Sequence, residues 1–321
     1  MTLPRVKLVA TGGTIAMTGS PAHPAHGADE LLAAVPEIAS VASLDVEDLS
    51  NVPGANLTPA AAARAIGVAA SAVENGAAGA VITQGTDTIE ETAELAELVW
   101  PHEAPLVITG AIRAGGAVSA DGPLNLLDSI RVASTPAARG LGPVVVFDGA
   151  VHAAAEAVKS HSWRSDAFSS QAPVGHVREG EFVAARERAR MPVASPLEIE
   201  PLPLDHYVPI LAAAAGMDSR PLDALRSDGA AAIVLISLGA GHLPEAMLPA
   251  VDRTLTAGVP LIVCARPERG GTLTGTYGFP GSETDLAERG AILAGTRSPW
   301  KARIRVLLAL GLGREPSDLF N

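Results

Sequence analysis

The chain alternates short apolar runs with stretches of helical periodicity, and this alternation restricts its fold more than any other feature. The first apolar runs, each ending in a turn, predict strands at residues 6–10, 78–83, 105–109 and 143–147. Between them, residues 59–73 and 89–100 have the spacing of amphipathic helices. Parallel strands need a crossover long enough to hold a helix. The pattern therefore predicts an α/β fold with a larger N-terminal sheet that is mostly parallel, or mixed.

A second and smaller set of alternating elements follows further along the chain. Its predicted members are strands at 230–237 and 260–265 and helices at 244–256 and 300–310. The segment between the two sets is rich in proline and has no helical period, which is typical of an extended linker. We interpret the 321 residues as an N-terminal domain (1–190), a linker (191–205) and a C-terminal α/β domain (206–321).

Charge and composition restrict the partners of the chain. With 48% hydrophobic and 18% charged residues it can bury a large core. A formal net charge of −12 repels phosphate backbones and anionic lipid headgroups, so neither nucleic acid nor a membrane surface is an expected partner. A small-molecule substrate is the expected partner instead.

The single cysteine and the N-terminus indicate the compartment. Cys264 lies within an apolar run, which predicts a buried thiol and rules out an intramolecular disulfide or a cysteine zinc site. No metal site is predicted elsewhere. The first ten residues lack a long apolar region and a cleavage signal, so we expect a cytoplasmic protein.

Two predicted strands end in turns that carry hydroxyl and carboxyl groups. The first strand leads into Thr11-Gly-Gly-Thr14, and a later one into the turn of Thr86 and Asp87, directly before a helix. In an open parallel sheet, reactive groups gather where strands end. These turns present Thr14, Thr86 and Asp87 as candidate catalytic residues.

Each of these features also has a structural interpretation. Asp87 followed by Glu90 has the form of a helix capping box, and Thr11-Gly-Gly-Thr14 has the form of a phosphate-binding turn. Lys159, taken alone, has the features of a solvated surface lysine. Local sequence leaves these alternatives open.

Four segments together indicate a family. They are Thr11-Gly-Gly-Thr-Ile-Ala16, Ile82-Thr-Gln-Gly-Thr-Asp-Thr-Ile-Glu-Glu-Thr92, Thr109-Gly-Ala-Ile-Arg113 and Ser119-Ala-Asp-Gly-Pro-Leu-Asn125. They resemble, in kind and order, the signature segments of bacterial-type asparaginases. The resemblance continues through Lys159 and residues 301–305, and is weakest between residues 20 and 50 and in the linker.

The resemblance implies a fold, a reaction and an assembly. It implies a larger N-terminal α/β domain, a smaller flavodoxin-like C-terminal domain, and a homodimer or homotetramer whose neighbouring subunits complete each other's sites. The implied reaction is hydrolysis of the side-chain amide of L-asparagine, without a cofactor. Thr14 would be the nucleophile, and Thr86, Asp87 and Lys159 would form the group that activates attack and positions water. A threonine hydroxyl needs such a neighbour to take its proton.

The resemblance also implies residues that contact the substrate: Gly54, Ala55, Gly85, Ala111, His242 and Glu283. Backbone amides around Gly85 and Thr86 are expected to stabilise the oxyanion. Gly54 and Ala55 lie where the family binds the substrate's α-carboxylate, and Asp87 would hold its α-ammonium. His242 and Glu283 would be supplied by the neighbouring subunit.

The sequence departs from the family at several site positions. No tyrosine occurs between residues 15 and 35, where the family has one on a flap, and the only tyrosines are Tyr207 and Tyr277. Gln84 replaces a histidine, Gly54 a serine and His242 an asparagine. Because losing a hydrogen bond to a charged carboxylate costs ~1.5–3 kcal/mol, we expect weak substrate affinity. Residues 17–29 are expected to form a mobile lid.

These departures leave three functions to distinguish. The first is asparaginase activity with glutamine as a lesser substrate. The second is a non-catalytic sensor or binder of a small amino acid, suggested by the altered flap. The third is an amidohydrolase for a larger amide, suggested by the space that the small Gly54 would leave.

Overall fold

We describe the protein from a computed structural model, which covers residues 2–18, 23–24, 32–188, 190, 192–195, 198 and 203–320. The chain divides into two compact units, Met1–Pro201 and Leu202–Asn321. Several residues of the predicted linker lie outside the described residues, and its bounds at 191–205 stay a prediction. Most of the predicted lid at 17–29 also lies outside them.

The first unit is built on a large mixed sheet. Its strands are β1 (Arg5–Gly12), β2 (Met17–Thr18), β3 (His23–Pro24), β4 (Ser43–Val52), β5 (Gly79–Thr83), β6 (Leu106–Thr109), β7 (Pro143–Phe147), β8 (Ala150–Ala153), β9 (Val158–Lys159), β10 (Phe168–Ser169), β11 (Gly175–Arg178) and β12 (Glu181–Ala184). Eight of these strands form one sheet within the described residues, in the order β12-β11-β8-β7-β6-β5-β1-β4. The pairings β4-β1, β1-β5, β5-β6 and β6-β7 are parallel. The pairings β7-β8, β8-β11 and β11-β12 are antiparallel. The predicted mostly parallel, mixed sheet is confirmed.

The helices of the first unit are α1 (Pro59–Glu74), α2 (Ile89–Val99) and α3 (Gly122–Ser134). Helix α1 begins where Thr58 accepts a hydrogen bond from the Ala61 amide at 3.2 Å, with Pro59 at the first helical position. Helix α2 follows a 3₁₀ turn at Thr86–Thr88 that leads directly out of β5. This junction places Thr86 and Asp87 at the carboxyl edge of the sheet.

A buried histidine in β8 links the stability of this unit to pH. His152 is 4% exposed, and its Nδ1 lies 2.8 Å from the hydroxyl of Ser170. Burial, and to a lesser extent the neighbouring His176, lowers the pKa of His152 from 6.5 to about 4, while Glu156 opposes the change. The folded protein therefore keeps this imidazole neutral at neutral pH.

We expect His152→Asn to reduce the loss of stability on acidification. Between pH 6.5 and 4 the unfolded chain binds a proton at His152 that the folded chain does not bind. The free energy of unfolding that depends on the neutral imidazole is therefore fully present above pH 6.5 and decreases as the pH falls toward 4. By pH 5 the wild type should lose about 2 kcal/mol more than the variant. Urea unfolding at neutral pH and at pH 5 measures the difference. Equal losses of stability in the wild type and in His152→Asn would show that His152 does not cause the pH dependence.

The second unit has a smaller parallel sheet. Its strands are β13 (Ile210–Ala212), β14 (Ile233–Ser237), β15 (Leu261–Ala265) and β16 (Ile292–Leu293), paired in chain order with all neighbours parallel. Cys264 lies in β15 with no exposed surface, and burial raises the pKa of its thiol to about 12. The predicted smaller α/β domain and the buried thiol are both confirmed.

The helices of the second unit are α4 (Arg220–Ser227), α5 (Leu248–Thr256), α6 (Glu283–Glu288) and α7 (Pro299–Gly311). The serines before α6 and α7, Ser282 and Ser298, each accept a hydrogen bond from a first-turn amide, which fixes where the helices begin. Across the described parts of both units, no helix is both long and apolar enough to cross a membrane.

Candidate active site

Three turns at the carboxyl edge of the large sheet approach one another through glycine backbones. Gly13 follows β1, Gly54 follows β4 and Gly85 follows β5. A Cβ atom on Gly13 would collide with the backbone of Gly85, and one on Gly85 would collide with Gly54. Gly13 also has a φ of +85°, which favours glycine. Glycine at all three positions therefore allows the turns to pack closely.

Hydrogen bonds hold these turns together. The Thr11 hydroxyl donates to the Thr83 carbonyl at 2.9 Å, the Gly13 amide to the Val52 carbonyl at 3.0 Å, and the Thr88 hydroxyl to the Gly54 carbonyl at 3.0 Å. They join the ends of β1, β4 and β5 in a single polar cluster.

Thr14 lies at this edge in a 3₁₀ turn that directly follows Gly13. Thr14 is half-buried and therefore partly open to solvent. Thr86 follows Gly85 in the same way and is 6% exposed. Each threonine thus comes immediately after one member of the Gly13–Gly85 contact, which places both at the same sheet edge, as predicted from the strand ends.

Lys159 contacts both polar residues of the β5 turn. Its Nζ donates to the Thr86 hydroxyl at 2.8 Å and to Asp87 Oδ1 at 2.7 Å, and its side chain is only 18% exposed. The interpretation of Lys159 as a solvated surface lysine is therefore wrong. The structure brings together Thr86, Asp87 and Lys159, three of the four predicted catalytic residues.

Asp87 is not a helix cap. The residue that precedes the first turn of α2 is Thr88, and neither Thr88 nor Gly85 makes a side-chain cap bond. The carboxylate of Asp87 instead accepts from Lys159, with 64% of its side chain exposed. An exposed carboxylate that is already paired with one ammonium can receive a second cation from a ligand.

This arrangement is suited to proton transfer. The Lys159 ammonium has only donors, so Thr86 Oγ1 is the acceptor in this contact. The hydroxyl proton of Thr86 is then available for donation to another neighbouring group. A hydroxyl, an ammonium and a carboxylate in direct contact form a chain of donors and acceptors along which a proton can move.

Gly54 is buried against Gly85, and this overturns one prediction. A Cβ on Gly54 would lie 2.9 Å from both Cα and the carbonyl carbon of Gly85. The backbone of Gly85 thus lies too close for a Cβ atom at this position. Gly54 does not leave room for a larger substrate, so the structural reason for a larger-amide hydrolase is lost. Ala55, next along the chain, is exposed.

We expect Gly54→Ser to reduce asparagine turnover rather than to improve substrate binding. Its Cβ would force Gly54 and Gly85 apart, and overpacking of this kind costs about 1–3 kcal/mol, roughly 5- to 150-fold in kcat/KM if the turn carries the cost. Ala55→Ser adds a hydroxyl at the exposed neighbouring position and is the matched control. A Gly54→Ser enzyme with a lower KM and an undiminished kcat would contradict this expectation.

Ala111, another predicted substrate contact, lies in a fixed turn after β6. It is fully buried. Asp121 accepts from the Ile112 amide at 3.0 Å and the Arg113 amide at 2.9 Å, and Asn125 donates to the Gly110 carbonyl at 3.0 Å. Asp121 and Asn125 lie in a segment that resembles the family, but the sequence indicated no role for them. Their spacing by four residues at a helix start was the available signal.

Gln84, which replaces a family histidine, is completely buried at the end of β5. Its Nε2 lies 3.4 Å from both the Gly85 carbonyl and the Thr88 hydroxyl. Its amide therefore supports the turn that carries Thr86 and Asp87.

His242 and Glu283 lie in the second unit and contact each other. Glu283 is fully buried, and its Oε1 accepts from the Thr276 and Tyr277 amides at 2.8 Å each. Its Oε2 lies 3.2 Å from His242 Nε2. Burial raises the pKa of Glu283, but these amides and the imidazole outweigh it, so the pKa is lowered overall. Glu283 is thus an ionised group that orients His242; a substrate contact for either residue stays a prediction.

His242 also has aromatic neighbours. Its ring centroid lies 4.9 Å from that of Tyr277 and 5.1 Å from that of Phe279, both in edge-on arrangements. Tyr277 and Phe279 are 44% and 46% exposed. The imidazole is therefore held by a carboxylate and by two rings.

Comparison with known proteins identifies the family. The protein-family model of the asparaginase N-terminal domain matches residues 5–190 of the sequence. The protein-family model of the glutaminase/asparaginase C-terminal domain matches residues 207–320. A probable L-asparaginase of Deinococcus radiodurans is 34% identical over 99% of this chain and 96% of its own length. A glutaminase-asparaginase of Pseudomonas aeruginosa is 31% identical over 99% of this chain and 89% of its own length.

A solved structure agrees with both matches. The crystal structure of a probable cytoplasmic L-asparaginase from Campylobacter jejuni has a TM-score of 0.88 to this chain at 29% identity, and the match covers 98% of each chain. Two family models in succession, relatives matched along most of their length and a shared fold all agree with the motifs read from the sequence. The chain belongs to the asparaginase family.

Proposed function

We propose that this protein hydrolyses the side-chain amide of L-asparagine to L-aspartate and ammonia. The observation that carries the proposal is the contact of Lys159 with Thr86 and Asp87, at the sheet edge where the Thr14 turn also lies. Relatives called L-asparaginase and glutaminase-asparaginase support the same substrate class. Glutamine is proposed as a lesser substrate, because its extra methylene must fit the same pocket.

The proposed reaction consists of two acyl transfers. The Thr14 hydroxyl loses its proton and attacks the amide carbon, the C–N bond breaks, and ammonia leaves with that proton. Water then attacks the aspartyl ester and regenerates the hydroxyl, releasing aspartate. Thr86, Asp87 and Lys159 move the proton, since they form a connected chain of donors and acceptors.

Binding is proposed to use the turns around this chain. Backbone amides of Gly85 and Thr86, at the start of the 3₁₀ turn before α2, are suited to stabilise the oxyanion. The exposed carboxylate of Asp87 would hold the substrate's α-ammonium, and the turn of Gly54 and Ala55 its α-carboxylate. No step of this proposal needs a cofactor.

A panel of amides tests this assignment. Asparagine should yield equal amounts of ammonia and aspartate, glutamine less, and larger amides none, since the Gly54 position is filled by backbone. Added hydroxylamine should divert part of the product to the aspartyl hydroxamate, because an ester is open to an external nucleophile. Saturable aspartate binding without turnover would instead favour a binding protein, the alternative suggested by the absence of a tyrosine between residues 15 and 35.

We further propose a homodimer or homotetramer in which the neighbouring subunit supplies His242 and Glu283. Light scattering gives the subunit number. Mixing inactive Thr14 and His242 variants should restore part of the activity if sites are shared between subunits, and none if they are not.

A cytoplasmic location is part of the proposal. The Campylobacter jejuni neighbour is called cytoplasmic, whereas a Haemophilus influenzae relative is called periplasmic. Fractionation of the native host distinguishes the two locations.

A further inference from the structure

Lys159 is held at both of its ends by one short segment, residues 86–90. At the side-chain end, Nζ contacts Thr86 and Asp87. At the backbone end, the Lys159 amide donates to Glu90 Oε1 at 3.1 Å. Glu90 is 7% exposed, so its carboxylate is directed into the protein rather than into solvent.

The spacing along the chain explains how one segment makes all three contacts. Glu90 lies four residues after Thr86 and three after Asp87, in the first turn of α2. Thr86 and Asp87 lie in the 3₁₀ turn that runs into this helix, so only two residues separate Asp87 from Glu90. All three side chains contact Lys159, so a hydroxyl and two carboxylates face β9 together.

Strand β9 needs such support because it is very short. It has two residues and pairs with an equally short β10, with Lys159 opposite Phe168. A two-residue ladder on its own is marginal in water. A carboxylate as buried as that of Glu90 is stable only when hydrogen-bonded, and the Lys159 amide is one of its donors. The contact therefore fixes the strand and satisfies the acid at the same time.

We propose that Glu90 is a positioning residue for catalysis: it fixes the backbone of Lys159 so that Nζ reaches Thr86. This inference rests on the proposed function, since Lys159 is the group that Glu90 positions. It gives Glu90 a role different from the helix capping that its spacing from Asp87 suggested.

The kinetic test compares three variants. Glu90→Ala removes the acceptor and should lower kcat by roughly 100-fold, the effect of a displacement of about 1 Å at a catalytic group, with KM changed by less than about threefold. Glu90→Gln keeps an oxygen acceptor of similar size and should retain kcat within roughly fivefold, since a neutral bond is about half as strong. Glu91→Ala, at the half-buried neighbouring position, is the control and should match the wild type.

A purely structural role gives a different pattern. It would lower the folded fraction and leave kcat per folded molecule equal in the Glu90→Ala variant and the wild type, and that result would overturn the inference. Equal losses in Glu90→Gln and Glu90→Ala would overturn it as well, because the inference requires rescue by an acceptor.

Hydrogen exchange separates this inference from the proposed function. The Lys159 amide should exchange at least ~10-fold faster in Glu90→Ala than in the wild type or in Glu91→Ala, whether or not asparagine is a substrate. A wild type that is inactive on asparagine but shows this change would reject the proposed function and keep the contact. An active wild type with unchanged exchange and unchanged kcat in Glu90→Ala would reject the inference alone.

Discussion

Thr14→Ala is expected to abolish ammonia release from L-asparagine, with kcat lower by at least ~1,000-fold, because the proposed mechanism uses the Thr14 hydroxyl as its nucleophile. The substitution removes one hydroxyl from a half-buried residue in a short turn, so the fold should persist. Rates of ammonia release at saturating asparagine measure the effect, and circular dichroism checks the fold.

Thr14→Ser is the matched variant for this prediction. It keeps a hydroxyl in the same turn, now primary instead of secondary, and should retain measurable turnover, whereas Thr14→Ala should retain aspartate binding without turnover. A Thr14→Ala enzyme that releases ammonia at nearly the wild-type rate would remove Thr14 from the mechanism and leave Thr86 as the next hydroxyl to test.

Lys159→Met is expected to lower kcat by about 100- to 10,000-fold, the range typical of losing a general acid–base group. Methionine keeps much of the stem but removes the ammonium that contacts Thr86 Oγ1 and Asp87 Oδ1. The loss should appear in both kcat and kcat/KM, since the ammonium acts on the reacting proton. Steady-state ammonia release across a range of asparagine concentrations measures both constants.

Lys7→Met is the matched control for this substitution. Lys7 is likewise a poorly exposed lysine with acidic partners, Asp45 at 3.1 Å and Glu47 at 3.0 Å, but it lies in the amino-terminal half of β1. Its loss should affect stability and leave kcat unchanged. If Lys7→Met and Lys159→Met reduced kcat equally, the effect would reflect a lost buried ion pair rather than proton transfer.

Buried strands could be predicted from sequence because both faces of such a strand are covered, which makes it a continuous apolar run. Strand β7 has the predicted bounds, and every residue in it is buried. Strand β4 was missed because it lies at the sheet edge, where exposed residues, acids among them, alternate with partly buried ones. Helix α3 was missed because its buried residues include Asn125, Asp128 and Ser129, which interrupt the apolar period.

The site was predictable only in part. Thr86 and Lys159 are 73 residues apart in the chain, and no local pattern relates them; the family resemblance did so, and the fold brings them into contact. The contact between Gly54 and Gly85 depends on how closely two turns approach, which residue type alone does not determine. The acceptor role of Glu90 could not be predicted from local sequence either, because its donor, the Lys159 amide, lies on a strand that is distant in the chain.

The most direct measurement is ammonia and aspartate release from L-asparagine by the purified wild type and by Thr14→Ala, from micromolar to tens of millimolar substrate and from mildly acidic to alkaline pH. The proposed mechanism requires saturable release of both products in equal amounts by the wild type and none above background by the variant. No ammonia from the wild type at any pH, or equal rates from the two proteins, would contradict it.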